Sequence, residues 1–96
     1  MAFEVVFTKK AELDFDIILA YIFHDFGAAA AIRFKDLTIE FVKILQNFPE
    51  LGRLSNTKKQ MRFFVAHKRL KIYYRIKNDK IIILRLFDTR QHPDKA

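Results

Sequence analysis

The chain has no cysteine, which removes disulfides, thiolate nucleophiles and cysteine zinc sites and suits a reducing compartment, here read as the cytoplasm. Gly27 and Gly52 are the only glycines, so no glycine-rich phosphate loop can be built. Apolar runs all fall short of the roughly 18 residues that span a membrane, and the opening MAFEVVF lacks the basic-then-apolar order of a secretion signal. The expectation is a soluble protein with no membrane association. Three scattered histidines, His24, His67 and His92, lack zinc spacing, and no Asp-rich loop offers calcium or magnesium ligands. No metal and no other cofactor is expected.

Acidic residues are missing between positions 51 and 77, and this absence carries the most information. Residues 1–52 hold five basic and eight acidic side chains, a net −3; residues 53–77 hold nine basic and none acidic, +9; residues 78–96 hold four and three, +1. The overall +7 is therefore a segment and not a background. Such a segment raises the potential over one surface and favours anionic partners such as nucleic acid or an acidic protein.

What is present is a core. Half of the residues are hydrophobic (51%), eleven of them Phe, which marks a folded globular chain. Ninety-six residues suffice for one domain, 1–96, burying about 60 to 65% of its unfolded surface. FEVVF (3–7) is β-branched and aromatic and reads as a strand buried on both faces. Thr8 offers a helix N-cap. Leu13, Ile17, Ala20 and Tyr21 then recur at helical spacing, with Phe15, Ile18 and Ile22 on an adjacent stripe, until Gly27 offers a left-handed stop. A second helix begins near Ala28, carries Phe34, Leu37, Phe41, Ile44 or Leu45, and Phe48 on one face, and ends at Pro49. PELGRLSNTKKQ (49–60) has no periodicity and reads as a loop. MRFFVA (61–66), RLKIYYRIK (69–77) and KIIILRLFD (80–88) alternate as strands separated by hairpin-length turns. The expected architecture is α+β, in the order β-α-α-β-β-β, with a helical hairpin on one face of a mainly antiparallel four-stranded sheet.

Register decides what the other face displays. A two-residue turn at Asn78-Asp79 pairs Lys77 with Lys80 and puts Arg85 in the core, where an unpaired charge costs several kcal/mol. A three-residue turn pairs Lys77 with Ile81, sends Ile82, Leu84 and Leu86 inward and Arg85 outward, and is the expected arrangement. The exposed face then shows Arg69, Lys71, Tyr73, Arg75, Lys77 and Arg85. Cations interleaved with an aromatic residue suit phosphates and a stacked base; a solvated face kept cationic for solubility has the same composition. Arg62 and Lys68 extend the candidate binding set. RLFDTRQHPDK (85–95) brings Arg85, Asp88, Arg90 and His92 close in sequence, with an arginine to stabilise developing charge and His92 or His67 to exchange protons. Surface ion pairs at Asp88 and Arg90 are the structural alternative. His24, at a helix end, suits a dipole partner.

Taken in order, AELDFDIILAYI (11–22), PELGR (49–53), RLKIYYRI (69–76) and ILRLFDTRQHP (83–93) resemble the RelE/ParE family of toxins from bacterial type II toxin-antitoxin systems. The family's A-x-x-D-L-x-x-I-x-x-Y-I pattern is met by Ala11, Asp14, Phe15, Ile18, Tyr21 and Ile22, and its F-P-x-x-G-R by Phe48, Pro49, Gly52 and Arg53. The resemblance implies a toxin of a plasmid stabilisation or addiction module. It also implies one of two targets, since RelE-like members cleave messenger RNA on the ribosome without a metal and ParE-like members inhibit DNA gyrase. By motif, Lys71 and Arg90 are the catalytic candidates of a RelE-like messenger-RNA endoribonuclease, joined by Arg85 on the same sheet face and by His92 in the tail. No tyrosine follows Arg90, where such nucleases often carry one, and Asp88-Thr89 stands where ParE relatives often have His-Gly. A cognate antitoxin, acidic and amphipathic at its C-terminal segment, is the implied partner, in a toxin-antitoxin hetero-oligomer. A basic nucleic-acid-binding module without toxicity would use the same sheet face.

Overall fold

A computed structural model describes residues 3–56, 60–66 and 69–89. The chain runs β1 (Glu4–Phe7), α1 (Lys9–Phe26), α2 (Ala28–Asn47), β2 (Arg53–Asn56), β3 (Met61–Ala66), β4 (Leu70–Lys77) and β5 (Lys80–Asp88). The helices pack on one face of a single sheet of order β1-β5-β4-β3-β2, in which only the β1–β5 pair is parallel. The architecture is the expected α+β one, with five strands in place of four. The fifth is β2, formed by residues whose composition reads as loop; Arg53 and Leu54 pair with Phe63 and Arg62, so strand formation here comes from the neighbouring ladder and not from local pattern.

Thr8 caps α1, its hydroxyl accepting from Ala11 N–H at 3.1 Å. Gly27 alone joins the helices: its N–H donates to Phe23 C=O and its C=O accepts from Ala31 N–H. Its φ of +92° is a conformation that a side chain would strain. The buried stripe of α1 is Ala11, Ile18 and Ile22, whereas Leu13 and Ile17, expected on the main stripe, are 58% and 48% exposed. Asp14 lies on the same stripe as Ala11, Ile18 and Ile22, and its hydrogen bond to β5 (below) fixes the helix rotation. On α2, Ala30, Ala31, Phe34, Thr38, Phe41 and Leu45 are buried. Phe48, expected on this face, lies past the last turn and is exposed. β1 is an edge strand, with Glu4 and Val6 exposed, and so is not buried on both faces as the sequence pattern implied.

Lys77 pairs with Lys80, so the β4–β5 turn has two residues and not three. Asn78 adopts φ +58°, which asparagine tolerates. Ile81 and Ile83 consequently face the helices and are buried, while Ile82 and Leu84 are not. A bulge then restores the expected parity: Tyr74 pairs with Ile83 and Tyr73 with Arg85, Leu84 being the extra residue. Leu86 faces inward and Arg85 stays out of the core.

The loop before β2 is held by one buried phenol. Tyr74, fully buried on the helix side of β4, donates its hydroxyl hydrogen to Pro49 C=O and accepts from Gly52 N–H, both at 2.8 Å. A Cβ at Gly52 would lie 2.7 Å from the Tyr74 hydroxyl and 2.8 Å from Phe63 C=O, which explains glycine there. Burial pushes the Tyr74 pKa up, against the Gly52 hydrogen bond and nearby Arg62, which lower it.

Tyr74→Phe should cost about 1–3 kcal/mol by urea unfolding, because the Gly52 N–H and Pro49 C=O are left without that partner. Since the folded-state pKa lies above the ordinary 10.0, Tyr74's proton-linked stability is fully present below that pH and is lost as pH rises through the folded value. Unfolding curves from neutral to alkaline pH should therefore fall more steeply for the wild type than for Tyr74→Phe.

Candidate functional site

Alternation along β4 sends Leu70, Ile72 and Tyr74 to the helices and Lys71, Tyr73, Arg75 and Lys77 to the open face. β3 adds Met61, Phe63 and Val65 to that face by register: Met61 pairs with Arg75, Phe63 with Tyr73 and Val65 with Lys71. β5 adds Phe87 and Arg85. Three rings consequently form a row across the strands, Phe63 to Tyr73 at 5.9 Å and Tyr73 to Phe87 edge-on at 5.7 Å.

The central cations sit on this row. Lys71 Nζ lies 4.6 Å from the Phe63 ring centre and 5.2 Å from that of Tyr73, and the Arg85 guanidinium lies 4.9 Å from the Phe87 ring centre. Ring quadrupoles hold both by cation–π attraction. Phe63 and Phe87 were not among the sequence candidates; their signal is strand parity once Tyr73 is placed outward.

Arg85 is also held from behind. β1 pairs with β5 only as far as Phe7 and Ile83, so the edge of β5 beyond that point lacks a strand. Thr8 donates its backbone N–H to Ile83 C=O and its hydroxyl to Leu84 C=O, each at 3.1 Å. Asp14 takes over next, accepting Leu86 N–H at 3.0 Å and the Arg85 Nε and Nη2 groups at 2.7 and 3.1 Å. The carboxylate side chain is 14% exposed and the arginine 41%, and the hydrogen bond to Asp14 pushes the Arg85 pKa further up.

The other candidates separate. Arg62 points to the helix side, where its Nη1 donates to Gly52 C=O at 2.7 Å and Glu50 C=O at 3.4 Å, so it secures the loop and does not join the open face. Asp88 is 1% exposed and lies on the same side as Leu86, opposite Arg85; alternation splits the cluster that looks compact in sequence. Asp88 instead lines a cavity of about 280 Å³ with Arg33 and Arg69. Arg69 is exposed at the β3–β4 turn, and its C=O accepts from Thr89 N–H. Lys68, His67, Arg90 and His92 lie outside the described residues. His24 is exposed and bonds Asp25 at 2.7 Å. Among the described residues no group of His, Asp and Glu could hold a metal ion, and no helix is long and apolar enough to cross a membrane.

The profile of the ParE toxins of parDE type II toxin-antitoxin systems matches residues 5–93. The chain belongs to this family. A chromosomal ParDE toxin-antitoxin system from P. aeruginosa contains a similar chain, 26% identical, covering 91% of this chain and 96% of that one with a TM-score of 0.78. Two further structures share the fold. A conserved hypothetical protein from Helicobacter pylori is 23% identical over 92% and 96% of the two chains, with a TM-score of 0.60. The RelBE2 toxin-antitoxin complex from Mycobacterium tuberculosis is 20% identical over 92% and 99%, with a TM-score of 0.54. A search of curated proteins found no match. The chain is a type II toxin, and two of its family motifs acquire physical meaning: Asp14 closes the β5 edge, and Gly52 lies against the Tyr74 hydroxyl.

Asp14→Ala should destabilise the toxin by about 2 kcal/mol, since it strips a partner from Leu86 N–H and from Arg85. A double-mutant cycle with Arg85→Ala, followed by urea unfolding, should return a coupling of about 1 kcal/mol, high for a half-exposed pair because the carboxylate is mostly buried.

Proposed function

We propose that this toxin arrests growth by ParE-like inhibition of DNA gyrase in the cytoplasm, without nuclease chemistry, and that a cognate antitoxin neutralises it. One observation carries the choice of target. Of the four candidates for RelE-like cleavage, the two that are described already have partners: Lys71 lies against Phe63 and Tyr73, and Arg85 is bound by Asp14. A cation that must follow charge developing on a phosphodiester acts best when preorganised toward that charge. Here the guanidinium is oriented toward a carboxylate instead. The missing tyrosine after Arg90 supports the same choice.

An open face with an aromatic centre and a basic rim suits a protein surface that buries rings and pairs acids at its periphery. The antitoxin reading rests on the ParDE and RelBE systems among the similar structures and on the +9 segment, which an acidic antitoxin segment would complement.

The test is induction of the chain in a bacterial host, with purified gyrase assayed in parallel. Growth arrest with a DNA-damage response, unchanged message 5′ ends and loss of supercoiling in vitro are expected. Normal supercoiling at saturating toxin would remove the gyrase reading, and new 5′ ends within codons, abolished by Lys71→Ala, would install message cleavage in its place. No arrest, but RNA binding with a log–log salt slope near −0.7 to −0.9 per neutralised phosphate, would indicate a nucleic-acid-binding module.

A further inference from the structure

Arg85 stands where a nucleic-acid-binding face would need it. It is the cross-strand partner of Tyr73, whose half-buried ring also lies 5.2 Å from Lys71 Nζ. Two cations beside an aromatic ring can hold a phosphate while a base stacks. On this face one of the two is already neutralised. Asp14 reaches round the open edge of β5 and takes the guanidinium through both oxygens, Oδ2 to Nε at 2.7 Å and Oδ1 to Nη2 at 3.1 Å.

That hold resists displacement. Oδ2 also accepts Leu86 N–H at 3.0 Å, so the carboxylate is fixed in place before any phosphate arrives, and a bidentate pair is the strong form of this contact. The carboxylate side chain is only 14% exposed. A phosphate that took Arg85 for itself would leave that carboxylate uncompensated, mostly buried and beside a second negative charge. We propose that Asp14 sets the partner class of the open face: by occupying Arg85 it excludes single-stranded RNA and leaves the aromatic row to a protein. Specificity of this kind comes from disfavouring the wrong partner as much as from fitting the right one. The inference deepens the reading of the face as a protein-binding surface and rests on it.

The hydrogen bonds of Asp14 allow its two roles to be separated. In Asp14→Asn the carboxamide oxygen can stand in for Oδ2 and keep Leu86 N–H, which preserves the β5 edge. Its NH₂ group then takes the place of Oδ1 and meets Arg85 Nη2, donor against donor. The side-chain volume is almost unchanged, and the guanidinium is released with its charge uncompensated.

The experiment is fluorescence anisotropy of a labelled single-stranded oligoribonucleotide across a salt series, on the full chain and its variants, with circular dichroism to confirm folding and gyrase supercoiling assayed alongside. Asp14→Asn should bind with a log–log salt slope steeper by about 0.7, one added phosphate contact, and with an affinity gain on the order of tenfold at about 0.05 M salt. Asp14→Asn/Arg85→Ala should lose both gains. Arg85→Ala alone should keep the wild-type slope, because Arg85 makes no phosphate contact while Asp14 holds it. A folded Asp14→Asn chain with the wild-type slope overturns the proposal. So does a slope shallower by about 0.7 in Arg85→Ala, which places Arg85 on phosphate despite Asp14 and decides the question even where Asp14→Asn does not fold. Supercoiling keeps the two readings apart. Normal supercoiling with the wild type, together with the Asp14→Asn gain, changes only which protein the face takes; inhibited gyrase without that gain removes the role of Asp14 alone.

Discussion

β5 is nine residues long and β1 only four, and much of the molecule follows from that mismatch. A strand edge with open N–H and C=O groups must find partners. Thr8 and Asp14 supply them, a threonine that also caps α1 and a carboxylate nearly two turns further along the same helix. The helix is thereby fixed in position and rotation over the sheet. Ala11, Ile18 and Ile22 go inward because Asp14 faces the β5 edge, and Leu13 and Ile17 remain exposed although their spacing is equally helical.

The same carboxylate shapes the open face. Arg85 follows the bulge that keeps it out of the core, and Asp14 then binds its guanidinium. With Lys71 drawn between two rings, the centre of the face becomes an aromatic row carrying held cations, and the freely solvated charge moves to Arg75 and Lys77 near the β4–β5 turn. A surface of this kind offers shape and burial at its centre and long-range attraction at its rim, which is a means of choosing a protein partner more than of stabilising a reacting phosphate.

Tyr74 plays the complementary part inside. One hydroxyl joins the loop after α2 to the middle of the sheet, and Arg62 closes the same loop from the adjacent strand. Arg62, which looks in sequence like part of the cationic surface, is thus structural, because its place in the ladder turns it toward the helices beside Tyr74.

The helices, their junction at Gly27, four of the five strands and the outward set Lys71, Tyr73, Arg75 and Lys77 are legible in the sequence, since these depend on capping, period and alternation, which are local. The absence of acids from 51 to 77 was equally legible, as was the family resemblance in four ordered motifs. The rest depends on contacts between segments distant in the chain. β2 forms because β3 offers it a ladder. The hairpin register combined a short turn at Asn78 with a bulge at Leu84, two opposite shifts that no alternation pattern can distinguish from none. The states of Arg85, Arg62 and Asp88 depend on Asp14, Gly52 and strand parity. Those partners lie far away in sequence or across a register that the pattern alone leaves undetermined, and pairing energy is set by distance in space.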